Sequence, residues 1–335
     1  MGREVPKLMW NRCPCSLLGN CLETVEHVIM KPLLISEQKA KYLATFERDL
    51  VMASDEAPRA SDDGLVCPEV GGWTEEKHKL VSLYSTLFSS GMKDKWDKRV
   101  YVELYAGAGY SGIRGTSKLI VGSPLRALSV KHPFDKYIFC EEDPETLHAL
   151  EVRVKRTAPS ASVVYVPGNC NRVVADILAE IPAGSSTDTV LSLCFADPFD
   201  IGLKFETLRS LSCRFVDFLV LLAVYMDANR NYERYVSDDA TKVDEFLGST
   251  TWRDRWVVAR GNAVGFPQFL AMEFASSMET LGYLPTPLHR MKRVRSDERN
   301  LPLYYLALFS RNDRAHKFWD EVLKYSTDQT TLFEN

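Results

Sequence analysis

The stretch YVELYAGAGYSG, residues 101–112, decides how the chain reads. An apolar run leads straight into Ala106-Gly107-Ala108-Gly109. Glycines directly after a strand let the backbone turn tightly and let a ligand approach the main chain. Glu103 falls within the strand, where a carboxylate can hold a ligand's amino group or a water. A Gly-x-Gly pair occurs in many ordinary turns, so its surroundings must decide. Here a strand precedes it, and a later apolar run ends in Glu141-Glu142. That arrangement predicts a cofactor loop built from Glu103, Ala106, Gly107 and Gly109.

Outward from this loop the pattern alternates. Strands are expected over residues 100–105, 136–140, 162–166, 189–195 and 216–223. Helical segments are expected over 125–130, 144–156, 172–180 and 205–211. Such alternation implies βαβ units and a parallel sheet with helices on both faces. The alternation then breaks. A helix over 266–281 is followed by apolar runs at 287–294 and 303–309 with a polar loop between them. Two strands so joined form an antiparallel hairpin, and a last helix over 315–325 covers the sheet. The fold class is therefore α/β and Rossmann-like, with a seven-stranded mixed sheet ending in an antiparallel hairpin. This is the strand plan of class I methyltransferases.

Upstream, Thr74 can cap a helix whose apolar stripe is Leu80, Leu83, Tyr84, Leu87 and Phe88. The main domain is placed at 73–335. Before it lies an N-terminal extension, 1–72, with a cysteine cluster, a helix over 36–52 and the polar run SDEAPRASDDG.

The exit from the glycine loop narrows the cofactor. Gly122-Ser123-Pro124-Leu125 carries strong helix-start signals, Ser as N-cap and Pro in the first turn. About a dozen residues thus separate the glycines from that helix, unlike a dinucleotide fingerprint, where the helix opens inside the motif. A phosphate cradled by the helix N-terminus is correspondingly disfavoured. S-adenosylmethionine, which has no phosphates, fits better.

Three further stretches carry chemistry. In IFCEEDPETLHAL, residues 138–150, a carboxylate at a strand end can accept from both ribose hydroxyls. Glu141 is the better placed, with Glu142 the alternative, while Asp143 and Glu145 suit a helix N-terminus. In YVPGNCNRVVADIL, residues 165–178, Asn169 or Asn171 can bond the adenine edge. Asn171 reads equally as an N-cap. In LSLCFADPFDIGLKF, residues 191–205, a buried strand ends in Asp197-Pro198-Phe199. Amino-group methyltransferases place an Asp- or Asn-Pro-Pro-aromatic loop at this position. Its polar side chain and a backbone carbonyl accept from the target amine, and its ring packs on a planar substrate. Here Asp197 also borders the cofactor, and a single proline is present.

Bulk properties exclude little. The chain has 335 residues, 45% hydrophobic and 26% charged, with net charge −4. A phosphate-gripping protein usually carries a basic excess, so nucleic acid is not indicated. The run HRMKRVRSDER, 289–299, is nonetheless locally basic, with Arg290, Lys292, Arg293 and Arg295. The longest apolar runs reach about half a membrane span, and no secretory signal opens the chain, which favours a cytoplasmic protein. Of eight cysteines, Cys140, Cys170, Cys194 and Cys213 lie in or beside apolar runs, where a free thiol acts as a small hydrophobe. Cys13, Cys15 and Cys21 cluster at the start, with Cys67 or His27 as a fourth metal ligand if they bind zinc. No paired CxxC knuckles support that, and no metal is assigned.

The ordered set of motifs resembles the three-Cys-motif partner (TcmP) proteins, a bacterial group with a methyltransferase-like fold. The matching pieces are Trp73 with Lys77-His78, YVELYAGAG, Gly115, GSPLRAL, FCEED, GNCN, ADPFDIG, Arg230-Asn231, FLGSTTW and YYLALFSRNDRAHKFW. They span about residues 73–325. The family usually has an acidic residue where Asn169 stands and a glycine where Asp200 stands. The resemblance implies a phage-related three-Cys-motif protein as partner. Two functions follow. One is an S-adenosylmethionine-dependent methyltransferase acting on an amine or ring nitrogen, with Asp197, Pro198, Phe199 and Arg230 facing the acceptor. The other is a non-catalytic partner protein. A nucleic-acid methyltransferase is a third reading, and it requires the four basic residues of the 289–299 run to line one face.

Overall fold

Buried residues on both sides explain the centre of the sheet. Every residue of β7 (Val190–Ala196) and β8 (Val216–Leu222) is buried. Strands covered on both faces read as continuous apolar runs rather than as alternation. The computed structural model describes residues 60–237, 240–296 and 300–331, with side chains through 325. The cluster at Cys13, Cys15 and Cys21 and the helix expected at 36–52 lie outside the described residues.

The elements run as follows. β1 (Glu69–Val70) precedes α1 (Thr74–Met92) and β2 (Lys98–Glu103). Then come β3 (Tyr110–Ile113), β4 (Leu119–Val121) and α2 (Ser123–Leu128). β5 (Lys136–Glu141), α3 (Pro144–Thr157), β6 (Val163–Pro167) and α4 (Val174–Glu180) lead to β7, α5 (Phe205–Leu211) and β8. A π-helical turn, Val224–Ala228, precedes α6 (Tyr232–Tyr235), α7 (Lys242–Leu247), α8 (Trp252–Gly261) and α9 (Phe266–Thr280). β9 (Lys292–Arg295), β10 (Pro302–Phe309) and α10 (Asp313–Thr331) are the last described elements.

The large sheet has seven strands in the order β6-β5-β2-β7-β8-β10-β9. The first five are parallel, while β10 is antiparallel to both β8 and β9. Counted along the chain, this is the order 3-2-1-4-5-7-6. It is the Rossmann-like class I methyltransferase fold that the strand pattern predicts. Side-chain alternation sorts the apolar residues into two cores. Val100, Val102 and Leu104 face α4, α5 and α7 to α9. Tyr101 faces α1, α2, α3 and α10.

Local rules place the elements well. Asp143 caps α3 by accepting from the Thr146 amide at 2.7 Å, with Pro144 in the first turn. Strand β9 begins later than expected. Pro285 and Pro287 lack the amide a ladder needs, and Leu288–Arg290 makes a 3-10 turn instead. Thr74 does not cap α1, which starts from Trp73 without a side-chain cap.

The long exit from the glycine loop is not irregular. β3 and β4 form a hairpin, and β1 adds to it in parallel, giving a separate three-stranded sheet. Glu69 and Val70 thus pack with the body, upstream of Trp73. Arg153 of α3, 2% exposed, draws in residues further upstream. Its guanidinium spans Asp63 at 2.7 and 3.0 Å and donates to the Val66 carbonyl at 3.0 Å. Bidentate pairing of this kind fixes geometry as well as charge. Among the described residues no helix is long and apolar enough to cross a membrane.

Asp217, at the start of β8, is 7% exposed. Burial pushes its carboxyl up to about 7 from 3.8, against the opposing pull of Ser310 and Arg311. The folded state therefore holds this proton more tightly than the unfolded chain. Stability falls as pH rises from about 4 to about 7 and is level above. Asp217→Asn should stabilise the chain near pH 8 by up to about 4 kcal/mol, a gain that vanishes near pH 4. Urea unfolding at the two pH values measures it, and an equal gain at both would contradict the assignment.

Candidate functional site

In an open parallel sheet, ligands bind beyond the C-terminal strand ends, where the strand order reverses. Here that point lies between β2 and β7, and each is followed by a loop already singled out. The first loop, residues 106–109, is tied down at every residue. The Ala106 amide donates to the Cys140 carbonyl at 2.9 Å. The Gly107 amide donates to Glu141 Oε2 at 2.8 Å. The Ala108 carbonyl accepts from Arg153 at 2.7 Å, and the Gly109 carbonyl accepts from the Gly122 amide at 2.7 Å. Gly107 and Gly109 have φ of +65° and +83°, where L side chains are strained. A Cβ on Gly107 would meet no atom within 4 Å, so the space above it is open. A Cβ on Gly109 would press on Leu150 at 3.0 Å.

Glu141 sits at the end of β5, half-buried, and its other oxygen accepts from the Asp143 amide at 3.1 Å. Between the two acidic alternatives, the glycine loop engages Glu141. Glu142 is exposed and accepts from Asn169 at 3.0 Å. Glu103 differs from expectation. It is fully buried, and burial pushes its carboxyl pKa well up. Both its oxygens are taken, by the Tyr101 hydroxyl at 3.0 Å and the Ser123 hydroxyl at 2.5 Å. It supports the loop from beneath and does not face the cleft. The same contact corrects Ser123. Its hydroxyl serves the buried carboxyl rather than capping α2, whose N-cap is Gly122 with no side-chain bond. An unpaired buried carboxyl costs far more than an uncapped helix end.

The loop after β6 is built from asparagines. The Asn169 side chain accepts from the Asn171 amide at 3.0 Å while donating to Glu142. Asn171 reaches across to the loop after β7. It donates to the Gly202 carbonyl at 2.9 Å and accepts from the Lys204 amide at 3.0 Å and the Thr207 hydroxyl at 2.7 Å. It does not cap α4, whose N-cap is Val173; its side-chain oxygen accepts two bonds and its amide nitrogen donates one of its two N–H groups.

In the loop after β7, Asp197 pairs with Lys77 of α1. Pro198 is buried, whereas Phe199 is 84% exposed on the rim. Asp200 turns the chain by accepting from the Gly202 amide at 2.7 Å and pairs with Lys242 at 2.6 Å. Asp227 of the π-helical turn accepts from the Ile201 amide at 3.1 Å and from Lys242 at 3.0 Å. Asn231 also bonds Asp227, at 2.8 Å. The Asp197 loop is thereby pinned to the rim after β8, where Arg230 stands exposed.

Lys77 is the residue that sequence reasoning missed as chemistry. It shares a helical stripe with Leu80, Val81 and Tyr84, all buried, and is itself 8% exposed. A lysine inside an apolar stripe is the signal that was present. The basic run near the end divides between two sides. Arg290 pairs with Asp320 of α10 and Lys292 with Glu76 of α1. Arg293 lies in register with Tyr305, whose ring contacts Tyr225 on the opposite face. The four basic residues do not line one face. Cys67, Cys140, Cys170, Cys194 and Cys213 are not in disulfides, and no metal-binding cluster occurs among the described residues.

No protein-family model matches the sequence, and no curated protein matches it. Solved structures are similar in fold. An O-methyltransferase from Bacillus cereus, in complex with S-adenosylhomocysteine, is 10% identical with a TM-score of 0.39, over 83% of this chain and 97% of that one. Magnesium protoporphyrin IX methyltransferase from Synechocystis PCC 6803, with S-adenosylhomocysteine bound, is 8% identical with a TM-score of 0.36, over 82% and 99%. An O-methyltransferase of tomaymycin synthesis from Streptomyces achromogenes is 9% identical with a TM-score of 0.37, over 79% and 96%.

The Asn171 bridge carries a prediction. Asn171→Ala removes three hydrogen bonds between two loops and should lower stability by about 1–2 kcal/mol. Urea unfolding checks this, and an unchanged midpoint would remove Asn171 from the bridge.

Proposed function

We propose that the chain is an S-adenosylmethionine-dependent methyltransferase acting on an amine or a ring nitrogen. The observation that carries this reading is the Glu141 carboxylate hydrogen-bonded to the Gly107 amide at the reversal point of the sheet. A carboxylate there can accept from both ribose hydroxyls, and the open space above Gly107 admits a ligand to the main chain. The residues fit the cofactor's chemistry. Along the chain α2 follows the glycines only after the β3–β4 hairpin, unlike a dinucleotide fingerprint, and the amide of its N-cap, Gly122, is already taken by the Gly109 carbonyl.

When bound, S-adenosylmethionine supplies a methyl group on a positively charged sulfur. Glu141 would hold the ribose, the backbone of Ala106 to Gly109 would line one wall, and Asn169 would meet the adenine edge. Asp197 and the Pro198 carbonyl would accept from the acceptor nitrogen and aim its lone pair. The exposed Phe199 ring would pack on a planar acceptor, with Arg230 on the same rim. Methyl transfer mainly requires in-line positioning, so no strong base is needed.

A second reading is the non-catalytic partner suggested by the resemblance to three-Cys-motif partner proteins. The exposed Val257 and Val258 on α8, 71% and 67% accessible, favour a docking role. The split of Arg290, Lys292 and Arg293 between two sides speaks against the nucleic-acid reading.

Calorimetry with S-adenosylmethionine tests the main reading. Glu141→Ala should weaken binding about tenfold to hundredfold, the worth of lost bonds to a charged acceptor. Asp197→Ala should retain cofactor binding and abolish turnover. Absence of binding at about 1 mM ligand, an affinity of about 4 kcal/mol, or an unchanged affinity in Glu141→Ala, would overturn the assignment.

A further inference from the structure

Lys77 has no role in the reading above, and its position asks for one. It projects from α1, the helix before β2, to the point where the sheet order reverses. It is nearly buried, and its ammonium is held by Asp197, the residue proposed to receive the acceptor nitrogen. Glu103 lies close enough to feel both charges. A buried ammonium is costly unless paired, and the stripe it interrupts would pack as well with leucine or methionine.

The cleft around it is acidic. Glu141, Glu142, Asp197 and Asp200 stand at this end of the sheet. A ligand carrying a carboxylate can enter such a cleft only beside a cation. Of the other cations near this end, Arg230 stands exposed on the outer rim and two are committed elsewhere. Lys242 is held by Asp200 and Asp227, and Arg153 by Asp63 and the Ala108 carbonyl. Lys77 is held by Asp197 alone among the described hydrogen bonds and ion pairs.

We propose that Lys77 binds the α-carboxylate of S-adenosylmethionine, giving up Asp197, so that cofactor binding uncovers Asp197 for the acceptor nitrogen. This rests on the cofactor reading of the cleft. The exchange replaces one ion pair by another, so the ammonium is never left unpaired. It also orders events. Before the cofactor arrives, Asp197 is covered and the acceptor has no seat.

Decarboxylated S-adenosylmethionine, which lacks only the carboxylate, is the probe. By calorimetry the wild-type chain should prefer S-adenosylmethionine over it by about tenfold to hundredfold. Lys77→Met should bind both alike, near the wild-type affinity for the decarboxylated form, and Lys77→Arg should keep a preference. Asp197→Ala, which removes the competing partner, should raise affinity for S-adenosylmethionine and leave the decarboxylated form unchanged. This arm stands even if Lys77→Met fails to fold, which circular dichroism will show. Equal wild-type affinities, a preference that survives in Lys77→Met, or an unchanged preference in Asp197→Ala would overturn the role of Lys77 and leave the cofactor assignment standing. If neither ligand binds the wild-type chain, the cofactor reading itself fails.

Discussion

Four main-chain hydrogen bonds hold residues 106–109, and the rest of the cleft takes its position from them. The partners come from four places: the end of β5, the Glu141 side chain, Arg153 of α3 and the turn before α2. A loop with two positive-φ glycines would otherwise sample many shapes. Tied at each residue, it becomes a rigid edge against which a ligand can be registered. Arg153 extends the same constraint to Asp63 and Val66, so the segment before α1 is clamped by the residue that clamps the loop.

Burial decides the chemistry on either side of that edge. Glu103 and Glu141 end neighbouring strands, yet they do different work. Glu103 is sealed under the loop, where Tyr101 and Ser123 satisfy it. Glu141 is half-buried and faces the open side of Gly107. Across the cleft, Asp197 is paired with a lysine that is itself almost wholly covered. The loop behind Asp197 is braced by Asn171 from one neighbour and by Asp227 from the other. A braced loop can present a carboxylate and a backbone carbonyl in fixed directions, which the proposed methyl transfer needs more than it needs acid or base.

The parallel strands, the terminal hairpin and the Glu141 register were legible because they follow from period, punctuation and spacing along the chain. Other features were not. The β3–β4 hairpin is short and glycine-rich, so its pairing depends on partners distant in sequence, Glu69 and Val70 among them. Ser123 carries the local signature of a cap, but a buried carboxyl twenty residues earlier claims its hydroxyl. Asn171 reads as either cap or ligand, and the segment beyond the next strand takes its side-chain oxygen and one of its N–H groups. Lys77 was readable only as a lysine out of place in an apolar stripe. Each miss is a tertiary contact overruling a local preference.

The central claim is that the Glu141–Gly107 contact marks the cofactor site. A nitrogen-15 NMR titration with S-adenosylmethionine addresses it at the atoms concerned, because the Gly107 and Asp143 amides both donate to Glu141. The account predicts that these two amides, with Ala106 and Gly109, shift most and saturate together. Shifts confined to α8 or to the β9–β10 hairpin, with the Gly107 amide unmoved, would contradict it.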